Sequence, residues 1–401
     1  MTITLTFLET VALAAAILVL GTLLTHHIPI LRHYAIPIPV TGGLCFAVVA
    51  NAMHGGMNLD LAFDMTLKEP CMLAFFATVG LSADLRMVAN GGARLALFLA
   101  VATLFLIVQN GIGTLLALSL GLHPLFGLLS GSITLSGGHG TGAAYADLFT
   151  TTSDLHNPME VAMACATFGL VVGGLIGGPV AHRLITKFHL TAPSQPVSLH
   201  PISLHSFRHY GADSLRKGFE TLLVILGCLV VGKVASQLFN QRFHFTLPTF
   251  IWTLMCGVAF RNICEFTGLY HLSQRLITTM GTISLSFFLA FAFMTLRLWE
   301  LRALVGSLLI ILVVQTLVMA LYASVITFRV MGKTYEAAVM ASGHCGFGMG
   351  ATPTAIANME ALVSRHGPAP EAFLIIPLVG AFFIDLANAL VIQTYLAFLP
   401  S

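Results

Sequence analysis

Charge is what this chain has least of. Only 8% of its 401 residues are Asp, Glu, Lys or Arg, against about 25% in a soluble domain. A water-soluble globule is therefore excluded. The net charge of +2 is spread thinly, with no block of Lys and Arg, so no nucleic-acid partner is expected. No Lys or Arg precedes the first apolar segment, so that segment is not read as a cleaved signal peptide. The seven cysteines, from Cys45 to Cys345, contain no CxxC pair. They read as packed thiols, neither disulfides nor zinc ligands.

What remains is apolar: 57% hydrophobic residues and a mean hydropathy of +0.91. A membrane-spanning helix takes about 20 apolar residues. Ten such segments are expected, near 5–25, 39–54, 70–88, 95–122 and 158–185, then 219–239, 248–266, 277–296, 303–330 and 372–398. Two shorter Gly-rich segments, 124–149 and 335–357, sit at matching places, and the polar stretch 186–217 divides the halves. Pairs such as Glu9 and Glu220, Phe75 and Phe287, and Gln109 and Gln315 recur in order, at offsets of 206 to 212. The chain reads as a duplication: residues 1–185 form one repeat, 186–217 a linker and 218–401 a second repeat. Five crossings per repeat is odd, so the second repeat is inverted. The expected fold is an all-α polytopic membrane protein with two inverted five-helix repeats, each carrying a re-entrant hairpin. With the N-terminus outside, thirteen Lys and Arg residues fall inside against four outside. The positive-inside rule then places both termini outside and the linker in the cytoplasm.

The stretch from Ser136 to Ala144 and its echo from Ser342 to Thr352 share Gly-x-Gly-x-Gly-Ala. Glycine at this density makes a poor helix interior, at about 1 kcal/mol per residue against alanine. Broken backbone at membrane depth is tolerated only where protein or water covers it. These stretches are read as the tips of two hairpins facing one cavity, the first entering from outside and the second from inside. Opposed helix N-termini would offer N–H groups to an anion, and opposed C-termini carbonyls to a cation. Close helix packing is the other use of such glycines, as at Gly173, Gly174, Gly177 and Gly178. No strand precedes either run, so a nucleotide loop is not indicated.

Several side chains join the tips as candidates. Asp385 lies within an apolar helix with Asn388 one turn on; it either serves a ligand or pairs with Lys233 or another helix. Asp84 is either an interfacial salt-bridge partner of Arg86 or a site residue. Gln109 and Gln315 occupy matching positions and need buried partners, as helix–helix bonds or hairpin support. Ser136, Thr141, Ser342, Thr352 and Thr354 offer hydroxyls, and Asn358 either caps a helix or meets ligand. Glu160 and Glu371 suit the positive ends of their helices. His139, His344 and Cys345 are too few to converge on a metal, and neutral structural histidines are expected.

The same residues carry a family likeness. Ser-Gly-Gly-His-Gly-Thr-Gly-Ala-Ala at 136–144 and the run from Gly343 to Met359 resemble the bacterial sodium/glutamate symporters. So do 73–78, 160–170 and 379–385. The likeness covers all ten helices and is weakest in the linker. It implies Na⁺-coupled glutamate import across the bacterial inner membrane by a homodimer embedded in lipid, with elevator-like motion of a hairpin-bearing unit. Na⁺ is then the coupling ion, with no other cofactor. The expected substrate set is Ser136, Gly137, Gly138, Gly140, Thr141, Ser342, Gly343, Gly346, Gly348, Thr352, Thr354, Asp385 and Asn388. The expected sodium set is Asp84, Gln109, Gln315, Asn358 and Asp385. The alternatives are a symporter for another small carboxylate, which would favour arginines that the tips lack, and an intramembrane hydrolase built on His139, His344 and Cys345.

Overall fold

The computed structural model describes the chain except residues 1, 30, 32–35, 58–59, 84–91, 154, 193–211, 243–247, 269–271, 297–303 and 400–401. The first half contributes α1 (Phe7–His27), α2 (Ile38–Met57), α3 (Lys68–Ser82), α4 (Gly92–Ser119), α5 (Pro124–Ile133), α6 (Gly138–Thr152) and α7 (Pro158–Phe188). The second contributes α8 (Ala212–Arg242), α9 (Thr249–Thr267), α10 (Gln274–Met294), α11 (Val305–Val330), α12 (Tyr335–Gly348), α13 (Thr352–His366) and α14 (370–398). The only strands among the described residues form a short parallel ladder, β1 (Thr2–Thr4) on β2 (Asp60–Ala62).

Among the described residues seven helices are long and apolar enough to cross a membrane: α1, α2, α4, α7, α8, α10 and α11. The protein is multi-pass. The three other expected spans are helical but do not qualify by length and composition alone. α3 is described over 15 residues, with Asp84–Val88 outside the described set. α9 carries Arg261, Asn262 and Glu265 near its end, and α14 is interrupted by a π turn, Val379–Phe383.

The helices sort into two packed groups. α1, α2, α3, α8, α9 and α10 pack on one another, and α4 to α7 pack with α11 to α14. Each half of the chain thus gives its first three helices to one group and the rest to the other. Crossings recur across the repeats at the sequence offset. A Cβ on Gly21 would meet the backbone of Ile38 and Gly42, and one on Gly232 would meet Thr253, as small residues allow in membranes. The two groups touch mainly along α6: Tyr145 packs edge-on against Phe250 of α9 at 5.2 Å. A Cβ on Gly140 would meet Phe75 of α3 and Leu285 of α10. Lys68 of α3 pairs with Asp147 of α6 at 2.8 Å.

Both Gly-rich segments fold as broken helices. The second is an antiparallel hairpin of α12 and α13. Gly346 abuts Ala355, Gly343 abuts Met359, and the Tyr335 hydroxyl donates to Gly367 O. Its return limb runs to His366, past the expected end at residue 357. Glu360, Ser364 and Arg365 make that limb too polar to read as an apolar segment. Its base is fixed by Glu336, which accepts from the free N–H groups of Glu371 and Ala372 at the start of α14, while Arg94 pairs with Glu371.

Candidate functional site

The first break starts at Gly131, whose φ and ψ of −103° and −138° are not helical. A break in a buried helix frees backbone donors and acceptors that must find partners. Two neighbouring helices supply them. Asn110 Oδ1 of α4 accepts from Ser132 N at 2.8 Å. Asn388 of α14 donates from Nδ2 to Ser132 O at 3.0 Å and accepts the Ser132 hydroxyl at 2.6 Å. The chain then turns through Ser136 and Gly137, and Gly138 opens α6 at φ +69°, where a side chain would be strained. The second break is a turn at Met349 and Gly350, closed by Ala351 N on Gly346 O at 3.1 Å.

The two bends meet. The Ser136 hydroxyl lies 3.1 Å from Gly348 O, the last carbonyl of α12. Gln109 of α4 sits between them: its Oε1 accepts from Ser136 Oγ at 2.8 Å and its Nε2 donates to Gly348 O at 3.0 Å. Gln315 of α11 donates to the backbone carbonyl of Gln109 at 2.7 Å. A Cβ built on Gly138 would have Gly350 O as its neighbour, at 3.7 Å. No side chain caps the N-termini of α6 or α13, so their first N–H groups lack an acceptor within the helix; Pro353 in the first turn of α13 has no N–H.

α14 passes both bends. Gly380 lies against the Thr352 hydroxyl of the second, and Asn388 holds the first. Eight helical residues rise about 12 Å, and Asp385 lies between the two. It follows the π turn Val379–Phe383 directly; such turns are frequent at functional sites. Asp385 is partly buried and has no hydrogen bond or charged partner among the described residues. Pairing with Lys233 is not found: Lys233 is on the exposed side of α8.

A sequence model of the sodium/glutamate symporter family matches residues 3–368. The chain is similar to the sodium/glutamate symporters of Escherichia coli and Shigella flexneri, each 49% identical over 97% of both chains. The symporter of Haemophilus influenzae is 44% identical over 97% of this chain and 96% of its own. The chain belongs to the sodium/glutamate symporter family. That is a family of transporters, not enzymes, and the hydrolase alternative is withdrawn. No group of three or more His, Cys, Asp or Glu side chains converges among the described residues.

In this family member, Ser136, Gly137, Gly138, Gly348, Thr352, Gln109, Gln315, Asn388 and Asp385 gather around the meeting point or on the helix that passes it. Other expected residues lie further down the hairpins. Gly140 faces Phe75 and Leu285, and Thr141 lies against Gly137. Gly343 packs on Ile376 and Met359, and Gly346 on Ala355. Ser342 and Thr354 are buried with hydroxyls lacking a partner among the described residues. Asn358 donates to Gly173 O of α7 at 2.9 Å. Asp84 is outside the described residues.

The hydrogen-bond partners of His139 and His344 are hydroxyls, and His344 Nε2 has no partner among the described residues. His139 meets Thr167 Oγ1 at 3.0 Å and His344 meets Thr327 Oγ1 at 2.9 Å. Thr327 belongs to a π turn in α11, Ala323–Thr327. The His344 ring is enclosed by Phe98, Phe105, Tyr322 and Phe347. Asn110 gives the hairpin support that a buried amide beside Gln109 calls for; the π turns in α11 and α14 carry no mark in the sequence. The signal available for Asn110 was a polar residue in an apolar helix, next to Gln109.

Proposed function

We infer that this protein is a Na⁺-coupled symporter that imports glutamate across a bacterial inner membrane by alternating access. The observation that carries the reading is the meeting of the two broken hairpins, one from each repeat, beside a carboxylate that has no partner among the described residues. Its support from relatives is that homologues matched across their full length are named sodium/glutamate symporters.

The substrate lies at the two bends. The uncapped N-termini of α6 and α13 offer N–H groups and partial positive charge to its carboxylates. Asp385 supplies the opposing charge, to the substrate ammonium or to Na⁺, a hard cation that prefers oxygen ligands. The Thr352 hydroxyl adds to the polar lining, and the Ser342 and Thr354 hydroxyls, without partners among the described residues, lie deeper in the same hairpin. Asn388 holds the first break in shape, and Asn358 ties the second hairpin to α7.

The division of the helices into two groups supports an elevator-like motion. The unit carrying both hairpins slides against α1, α2, α3, α8, α9 and α10, which form the dimeric scaffold. All ten expected segments span the bilayer, both termini are periplasmic and the linker is cytoplasmic. Each 100 mV contributes about 2.3 kcal/mol per net charge moved, so electrogenic import needs more sodium charge than substrate charge.

The test is uptake of labelled glutamate into proteoliposomes under imposed Na⁺ or proton gradients. A Na⁺ gradient should drive accumulation. Uptake driven by protons alone would refute the coupling, and uptake of another dicarboxylate in preference to glutamate would refute the substrate.

A further inference from the structure

The two matched glutamines do not do matched work, and the difference assigns a role. Gln109 is fully buried, at 0% exposure, and both ends of its amide are engaged in bonds to distant parts of the chain. Its oxygen takes the hydroxyl of the first bend, and its nitrogen holds the carbonyl of the second. The bonded residue Gly348 is 239 positions away in sequence. Gln315, its repeat partner, touches neither bend through a hydrogen bond. It donates instead to the backbone carbonyl of Gln109 and steadies the residue that does. The duplication supplied two equivalent amides, and the folded protein uses them as a bridge and a brace.

We propose that Gln109 is the positioning residue through which the two bends sense each other, not a ligand of the cation. This rests on the symport reading above. A cation ligand offers lone pairs to the ion. Here the amide oxygen already accepts from Ser136, and the amide nitrogen is turned to Gly348 O. That amide N–H satisfies the last carbonyl of α12, because the single hydroxyl proton of Ser136, within reach of both oxygens, goes to the nearer amide oxygen. An ion or substrate that moves either bend must move the amide, and the amide moves the other bend. The energetic link between two sites has this form: each ligand changes the other's affinity by the same factor. Typical factors are about 5- to 150-fold.

The test measures that factor in purified protein, by titrating glutamate at high and low Na⁺, and Na⁺ at high and low glutamate. In the wild type Na⁺ should tighten glutamate binding, and glutamate should tighten Na⁺ binding by the same factor. Gln109→Leu should reduce the factor at least about fivefold, towards one. Gln109→Glu separates the two roles. A carboxylate is the better cation ligand, so a ligand role would keep or tighten Na⁺ binding. A bridging role requires loss of coupling, because the carboxylate has no donor for Gly348 O. Ser136→Ala, which removes one arm only, should lose part of the factor and guards against a Gln109 variant that does not fold. Gln315→Leu should lose a smaller part. An unchanged factor in Ser136→Ala and Gln109→Glu, or tighter Na⁺ binding in Gln109→Glu, overturns the bridge. Wild-type protein that takes up no glutamate under a Na⁺ gradient overturns the symport reading, and the bridge with it.

Discussion

Replacing Gly177 by alanine, with Gly178→Ala as its neighbour control, tests how the second hairpin is seated. Three glycines of α7, Gly169, Gly173 and Gly177, lie one turn apart and run along the second hairpin. A Cβ on Gly177 would come within 2.3 Å of Asn358 Nδ2 and 2.9 Å of Ser342 O. Backbone cannot give way, so Asn358 must turn and release Gly173 O, which it holds at 2.9 Å. Crowding of a packed interior costs about 1–3 kcal/mol, and an interhelical hydrogen bond in a membrane protein is worth about 0.6. The helix preference of alanine offsets up to about 1 kcal/mol. The net is a loss of about 1–3 kcal/mol. A Cβ on Gly178, one residue on, would have nothing within 4 Å, so alanine there keeps the gain without the clash. The sequence made these two glycines look alike; the fold separates them. The assay is the fraction of protein remaining monodisperse on size exclusion after heating, with glutamate uptake alongside. Gly177→Ala should lose heat stability and uptake, and Gly178→Ala neither. Equal behaviour of the two variants would refute the seating of the hairpin on α7.

Asp385→Asn should abolish Na⁺-driven uptake in proteoliposomes while the protein still elutes as a single species; full uptake would remove Asp385 from the site. Asn110→Leu leaves the Ser132 N–H buried without its acceptor, a cost of about 1–3 kcal/mol. It should lower heat stability, and an unchanged melting profile would mean that the break at Gly131 finds another partner. Lys68→Ala removes a partly exposed ion pair between the two helix groups, its side chains 16% and 37% exposed. Such pairs contribute at most about 1 kcal/mol, a factor of about five. Its effect should appear as a small change in labelling of a cysteine placed at a bend, in a background without the seven native cysteines. A change of a hundredfold would show that the pair is more than a surface contact.

Much of the site was legible before folding because it rests on glycine. The runs at 136–144 and 342–352 marked the neighbourhood of each bend, although most of each run is helical: the bends fall at Ser136 and Gly137 and at Met349 and Gly350, while 138–144 and 342–348 lie in α6 and α12. Polar residues in apolar helices were equally visible: Gln109, Asn110, Gln315, Asp385 and Asn388 had to find partners. Which partner was not visible. Asn110 and Asn388 close on Ser132 from helices 22 and 256 residues away, and nothing local to Ser132 encodes either. The π turns at Ala323–Thr327 and Val379–Phe383 were hidden for a related reason. Their sequences, Ala-Ser-Val-Ile-Thr and Val-Gly-Ala-Phe-Phe, contain no proline and nothing that marks an extra residue, which is accommodated by what packs against it. The cap that Glu336 places on α14 joins residues 35 and 36 positions apart, beyond the reach of any N-terminal motif.

By itself the sequence determined the solvent, and it pointed to a duplication and to two Gly-rich bends. Each follows from composition or local backbone preference: too little charge to face water, a matched order of residues, and glycine where a helix would need side chains. Only the tertiary structure decided that the two breaks touch, that Gln109 spans them while Gln315 braces it, and that Asp385 stands between them with no partner among the described residues. Those facts depend on hydrogen bonds between distant segments. Such bonds are fixed by which helices pack together, and an apolar helix carries almost no pattern that names its neighbour.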